Sequence, residues 1–320
     1  MRPRRDEALP VPDAVHAALS TEVRPVLAIS GGLDSMVLLH AAASFDLDTL
    51  RPIVATFDHG TGPAAAHAVG HVSAAAGAAG LECVTGKARA TGLSEEEWRR
   101  SRWRFLREVA ASTGGRIVTA HTLDDQVETI FMRILREAGP RGLAGLYAHS
   151  EVVRPFVNVS RAQLEAYAGE QGVKFVTDPT NDSRRYLRNR VRHDLLPSIA
   201  KVRPRFARDL IDISRRSAEW RRSMDSILEA VHSSEDPDGS LRIARSSLAG
   251  FDAESLRVLW PALAARAHVV MDRRGTHRAA EFTMRGLTGR SIQLSGMFEI
   301  VMHRDHLLLR RWGNHPRSIA

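Results

Sequence analysis

Two hydrophobic rhythms alternate along the first half of the chain. Short apolar runs at 23–29, 52–57, 81–85 and 116–120 read as strands buried on both faces. Helical periodicity fills the gaps, over about 34–45, 63–79, 94–112 and 123–137. The third of these helices opens on a capping-box pattern, Ser94 with Glu97 three residues on. Strand and helix alternating at this spacing predict right-handed βαβ units. The expected fold is therefore a doubly wound parallel α/β sheet with helices on both faces. Ligands of such sheets bind beyond the carboxyl ends of the strands, so chemistry is expected in the loops that follow them.

Past a glycine-rich loop at 139–146, the pattern predicts a short helix at 160–171 and two basic helices at 188–200 and 204–231. Residues 233–240, SSEDPDGS, hold no apolar side chain and read as a linker. The remaining residues, 241–320, read as a small α+β module. Helices are expected near 253–265 and 276–287, and strands near 291–294, 298–303 and 306–311.

Composition narrows the function. No apolar run approaches the roughly 20 residues of a membrane-spanning helix, and residues 1–13 do not read as a secretory leader. The single cysteine, Cys83, excludes a disulfide framework, a CxxC redox pair and any zinc or iron–sulfur site built from cysteines. A cytoplasmic protein without membrane association is expected. Of 45 basic residues only Lys87, Lys174 and Lys201 are lysine. A preference for arginine fits its planar fork for phosphates or, alternatively, GC-rich coding, but coding does not explain its placement. Residues 184–222 hold 13 Lys+Arg against 4 Asp+Glu, so this stretch alone carries a charge of +9 in a chain whose formal total is +8. Such a patch suits nucleic-acid phosphates; a merely solvated helix face is the alternative.

Three loops carry candidate chemistry. Ser30-Gly31-Gly32-Leu33-Asp34-Ser35 joins the first strand to its helix. Glycines let backbone N–H groups curl round an anion, serines add hydroxyls, and the helix N-terminus adds partial positive charge. It is not a Walker P-loop, because GxxxxGK[ST] and its lysine are missing. Phe57-Asp58-His59-Gly60 ends the second strand. The third loop, reading HTLDDQVET from His121, opens a helix on which Asp125 lies four residues from His121 and three from Glu128. These carboxylates can bind a metal or an ammonium, or take a proton from an attacking amine; an acidic first turn that only complements the helix dipole is the alternative.

The SGGLDS string resembles the signature of the PP-loop, or N-type, ATP pyrophosphatases. With FDHG, AHTLDDQVETIFMRILR, GPRGLAGL and DPTNDSRRYLRNRVRHDLLP, five ordered motifs resemble the tRNA(Ile)-lysidine synthetase family. Two positions depart from its pattern: Thr122 stands where a histidine is common, and Thr61-Gly62 follow the DHG where an arginine is common. The resemblance implies a PP-loop ATPase domain over 1–200, a basic helical linker over 201–235 and a small tRNA-binding α+β domain over 236–320. It implies ATP as substrate with Mg²⁺, and ligation of free L-lysine to carbon 2 of the wobble cytidine in a CAU-anticodon tRNA(Ile), through an adenylated base. Ser30, Gly31, Gly32, Leu33, Asp34 and Ser35 would bind ATP, with Asp34 and Asp125 toward the metal. Asp34, His121, Asp125 and Glu128 would carry catalysis. Arg99, Arg102, Arg188, Asn189 and Arg190 would contact tRNA. The rivals are tRNA thiolation or small-metabolite amidation by another PP-loop enzyme, and a non-catalytic RNA-binding protein. Thiolation commonly relies on paired cysteines, and Cys83 has no partner.

Overall fold

The computed structural model describes residues 9–22, 24–45, 50, 52–60, 62–88, 95–177 and 186–312. Ser94 of the expected capping box, the DPTN turn at 178–181 and the start of the basic stretch at 184–185 lie outside them. The chain divides into two units, one of residues 1–135 with 145–212, the other of 136–144 with 213–320.

The first unit is the expected parallel α/β core. Strands β1 (Val26–Ala28), β2 (Ile53–Asp58), β3 (Glu82–Lys87) and β4 (Ile117–Thr119) lie in the order β3-β2-β1-β4, all parallel. The sheet extends by one bridge, in which Val153 donates its N–H to the Ile117 carbonyl at 2.8 Å and accepts from Thr119 N–H at 3.0 Å. Helices α1 (Val11–Leu19), α2 (Leu33–Ala43), α3 (Pro63–Ala78), α4 (Glu95–Thr113), α5 (Leu123–Leu135) and α6 (Arg161–Gln171) belong to the same unit.

Why the strands read as unbroken apolar runs is visible in their packing. Side chains alternate across a pleated sheet. Val26, Ile53, Ala55 and Ile117 point to one face, where Leu106 and Val109 of α4 cover them. Their neighbours Leu27, Val54 and Val118 point to the other face, into a cluster with Val15 and Leu19 of α1, Val37 and Leu38 of α2, Val72 of α3 and Leu164 of α6. Both faces are dry, so both parities must be apolar. Helix α1, whose periodicity is only nine residues long, went unread in the sequence.

The basic stretch also has an apolar side. Residues 187–202 run as α7 (Leu187–Arg190), a π turn (Val191–Leu195) and α8 (Leu196–Val202), and α9 follows over Phe206–Glu229. Leu187, Val191, Leu196, Ile199, Phe206 and Leu210 pack on Val127, Ile130 and Phe131 of α5. That seam brings the adjoining positions Arg188 and Arg192 to the first turns of α5.

The strand order fixes where a ligand can sit. The chain moves outward from β1 to β2 to β3, then returns to place β4 on the other side of β1. Loops leaving β1 and β4 therefore diverge, and the gap between them at the strands' carboxyl ends is the crevice such sheets use for binding.

Among its described residues the second unit holds an antiparallel sheet, two helices of its own and residues 213–229 of α9. Strands β5 (Ser233–Glu235), β6 (Leu241–Ala244), β7 (Ser291–Leu294), β8 (Phe298–Met302) and β9 (His306–Arg311) lie in the order β5-β6-β9-β8-β7. Helices α10 (Ala253–Arg266) and α11 (Arg273–Arg285) pack through Trp260, whose indole N–H donates to Thr283 Oγ1 at 2.8 Å. The expected linker at 233–240 is instead β5 and its hairpin turn, closed by Asp236 N–H to the Ser240 carbonyl at 2.8 Å with Gly239 at φ +78°. A polar edge strand takes its pairing from backbone groups, so hydrophobic alternation is absent and the turn residues dominate its composition. No described helix is long and apolar enough to cross a membrane.

Leu27 is fully buried at the centre of the parallel sheet. Leu27→Ala is expected to lower unfolding free energy in denaturant titration by about 3 kcal/mol; a loss near zero would contradict the packing described.

Candidate active site

The loop after β1 is held open by its own side chains. Gly31 has φ +90°, and an added Cβ there would come within 3.3 Å of Ala68 Cβ, so both its conformation and the closeness of α3 call for glycine. Ser35, buried in the first turn of α2, accepts from Ser30 N–H at 3.2 Å and donates to the Gly32 carbonyl at 2.9 Å. The Ser30 and Ser35 hydroxyls also share a 3.2 Å hydrogen bond. From outside, Val176 donates its N–H to the Gly31 carbonyl at 2.9 Å. Leu33 is buried in the core, which anchors the helix start. Gly32 is the N-cap, without a side-chain cap. The rigid cradle thus leaves an anion to satisfy the helix end.

Asp34 projects from that helix start. Its Oδ2 lies 3.5 Å from Arg161 Nη1, and its buried Oδ1 has no hydrogen-bond partner. Burial pushes the carboxyl up to about 6; Arg161 works against the rise, while Asp125 adds to it. An orphaned carboxylate oxygen with its pKa raised is a site short of one cation.

Across the crevice, the loop after β4 and the first turns of α5 hold the second group. Asp125 caps its own turn, Oδ2 accepting from Thr122 N–H at 2.9 Å and from Thr122 Oγ1 at 3.2 Å. Its Oδ1 accepts from Arg188 Nη2 at 2.8 Å and Arg192 Nη2 at 3.2 Å. Glu128, only 2% exposed, accepts from Arg188 Nε at 2.7 Å and Arg192 Nε at 2.5 Å. Two carboxylates and two guanidiniums form a closed quartet. Burial alone would raise Asp125, but Arg188, the Thr122 N–H, His121 and Arg192 outweigh it and hold the carboxyl below the usual range. Burial lowers Arg192 too, yet the bond to Glu128 prevails and holds it above its ordinary value. His121 lies at the end of β4, its Nδ1 2.8 Å from Thr119 Oγ1. Burial drops its pKa to about 4, so the imidazole is neutral at physiological pH.

A third wall comes from β2 and α4. The His59 ring lies 6.4 Å from that of Trp98. His59 Nδ1, Trp98 Nε1 and Arg102 Nε are all buried without a partner. Arg102 is pulled down first by burial and then by Arg99, and its charge in turn helps lower His59 and His121. Arg99 is exposed.

The structure brings Asp34, Asp125, Glu128 and His121 to one crevice. It places Arg188 inward, its guanidinium occupied by Asp125 and Glu128, whereas Arg190 is exposed and Asn189 half-buried. Arg192 and Arg161 were missed. The first was findable: Arg188 and Arg192 are four apart, as Asp125 and Glu128 are three apart, and two such helix faces complement each other. The second had no local signal, because only tertiary packing brings α6 to Asp34.

Among the described residues no group of three or more His, Cys, Asp or Glu side chains could hold a metal. Asp125, expected beside Asp34 as a metal ligand, has both oxygens engaged by Thr122, Arg188 and Arg192. Asp34 alone keeps an oxygen to offer.

A family model described as a PP-loop domain matches residues 11–199. The tRNA(Ile)-lysidine synthase of Methylobacterium nodulans is 37% identical over 254 residues, covering 75% of this chain and 74% of that protein. The chain belongs to the tRNA(Ile)-lysidine synthase family. Lysidine synthases of Methylobacterium sp. strain 4-46 and Burkholderia mallei are 35% and 36% identical, over 75% and 67% of this chain. The chain spans 73% of the former but 47% of the latter, so some lysidine synthases are about twice as long as the matched region. The fold is shared with the U34-tRNA thiolase NcsA of Methanococcus maripaludis at a TM-score of 0.55, with 15% identity, over 65% of this chain and 78% of that one. As a PP-loop lysidine synthase the protein is an ATP-dependent ligase.

Asp34 gives the site a pH signature. Its pKa rises from 3.8 to about 6 on folding, so the ionised carboxylate destabilises the ligand-free fold at high pH, and that cost fades as pH falls from about 6 toward 4. Asp34→Asn is expected to gain on the order of 2–3 kcal/mol in denaturant titrations at pH 8 and well under 1 kcal/mol at pH 4. A gain that does not depend on pH would remove the buried charge from the account.

Proposed function

We propose that this chain activates the wobble cytidine of a CAU-anticodon tRNA(Ile) with ATP and ligates free L-lysine to its carbon 2, forming lysidine. The observation that carries this reading is the meeting of a glycine anion cradle with a carboxylate–guanidinium quartet across one switch-point crevice. The first suits a triphosphate; the second suits a cationic amine.

The chemistry proceeds in two displacements. Cytidine O2 attacks the α phosphate, and pyrophosphate leaves with the bridging electron pair. The ε-amine of lysine then attacks carbon 2, and AMP departs with the former O2. The Ser30–Ser35 loop and the N-terminus of α2 hold the phosphates. Asp34 would hold Mg²⁺, which would offset the charge on the outer phosphates. The partnerless Oδ1 of Asp34 fits that assignment. His121, neutral at working pH, is suited to orient the reacting base or accept a proton.

The quartet suits lysine by charge exchange. Asp125 and Glu128 are already matched by two cations, so an incoming ammonium displaces a guanidinium rather than adding to uncompensated charge. The amine has a solution pKa near 10.4 and must shed a proton to attack, which a carboxylate at close range assists. The unmet polar atoms of His59, Trp98 and Arg102 suit the edge of a base or a phosphate of the RNA. Arg99 and Arg190 point outward, as phosphate contacts should, and Asn189 stands beside the second of these.

The decisive assay is incubation with ATP, Mg²⁺, labelled lysine and isoleucine tRNA transcripts bearing CAU or GAU anticodons. Label is expected in the CAU transcript alone; label in neither would overturn the function. Asp34→Ala is expected to abolish AMP release while tRNA binding persists. Arg190→Glu is expected to weaken tRNA binding and reduce its salt slope by roughly one unit, measured by fluorescence anisotropy across a salt series.

A further inference from the structure

No sequence motif points to Arg161, yet the structure brings it to the phosphate loop. It is the first residue of α6. The preceding Ser160 forms a full capping box with Gln163, and the Arg161 N–H donates to Asp124 Oδ2 at 2.7 Å. The backbone is therefore fixed by its own cap and by α5 together. The side chain is held much less firmly. Nη1 stands 3.5 Å from Asp34 Oδ2, at the outer limit of a hydrogen bond, and Nε stands 3.2 Å from Glu165 Oε1. The Arg161 side chain is 40% exposed. A rigid base with a loosely tethered charged head is the arrangement of a group that changes partners.

Charge around the loop says which partner. SGGLDS brings no lysine of its own, unlike a Walker loop. Of the cations acting on Asp34, Arg161 is the strongest and Arg192 the next. Arg192, however, is already bonded to Glu128 and Asp125. Once a divalent cation takes Asp34, the long bond from Arg161 loses its purpose, while its fork of N–H donors stays within reach of the loop.

Resting on the reading of the loop as a triphosphate cradle, we propose that Arg161 is an ATP-binding residue that grips the outer phosphates and stabilises the departing pyrophosphate. When the α–β bridge breaks, the electron pair stays on the β-phosphate oxygen, and a guanidinium there offsets the new charge. In the nucleotide-free protein the same guanidinium rests on Asp34 as a stand-in cation. The rival explanation is that Arg161 only neutralises Asp34 and never meets substrate.

The two explanations part in a double variant. Asp34→Asn removes the charge that Arg161 would otherwise neutralise, so any remaining effect of Arg161 must come from the nucleotide. Calorimetric titrations of the full chain with ATP and with AMP, without tRNA, would compare Asp34→Asn with Asp34→Asn/Arg161→Gln. The second substitution is expected to weaken ATP binding about tenfold, the worth of a charge-assisted hydrogen bond, and to leave AMP within about twofold. In the otherwise native chain, Arg161→Lys should keep more ATP affinity than Arg161→Gln. Unchanged ATP affinity in the double variant, or equal losses for ATP and AMP, would overturn the assignment. A wild-type protein that binds AMP as tightly as ATP would instead overturn the cradle reading, and the role of Arg161 with it. Circular dichroism at the titration temperature verifies folding of each variant, and Arg161→Lys carries the comparison if the Gln form does not fold.

Discussion

Burying the Glu128 carboxylate where water barely reaches requires close partners, and two guanidiniums supply them. That requirement organises the core. It obliges the segment carrying Arg188 and Arg192 to fold back onto α5, and the apolar seam of Val127, Ile130 and Phe131 with Val191 and Leu210 makes this favourable. The hydrophobic contact supplies the driving force and the ion pairs supply the register. A slip of one residue along the basic helices would turn Arg188 and Arg192 away together and strand both carboxylates. A patch that reads in sequence as a surface footprint thus has an inner face, which builds the site, and an outer face, where Arg190 stands.

Legibility in the sequence followed the range of the forces involved. The parallel sheet was readable because burial on both faces leaves unbroken apolar runs, and the glycine loop because its backbone conformation constrains residue type locally. Asp34, Asp125, Glu128 and His121 were readable as candidates for the same reason: each sits in a short motif at a strand end. What failed to show was whatever depends on another element. Arg161 owes its position to α6 docking beside α2 and α5, and nothing within its own helix signals that. Arg188 was read as a tRNA contact from its motif and the charge around it, and sequence does not record that its guanidinium also bonds Asp125 and Glu128. The polar edge strand β5 was read as a linker because its pairing is made by backbone atoms that every residue possesses.

The crevice also separates two kinds of charge management. The quartet of Asp125, Glu128, Arg188 and Arg192 is internally balanced and closely bonded. Around Asp34 the balance is incomplete, with a carboxyl pKa near 6, an orphaned oxygen and one long ion pair. Balanced groups hold geometry; unbalanced groups create demand for a ligand. The same division holds for the third wall, where His59, Trp98 and Arg102 leave polar atoms unmet.

This asymmetry bears on the order of binding in the reaction. Under the proposed function, metal-bound ATP would relieve the frustration at Asp34, and its entry would cost only the long ion pair from Arg161. Under that same reading lysine would face the opposite situation, because its ammonium would compete with guanidiniums already seated on Asp125 and Glu128. Exchange would become easier once negative phosphates had entered next door and offered those guanidiniums another partner. Arg192, whose charge already reaches Asp34 as well as Glu128, stands where such a transfer can occur. An amine admitted only after the triphosphate is in place would meet an activated base and not a vacant crevice, so electrostatics alone would order the two displacements.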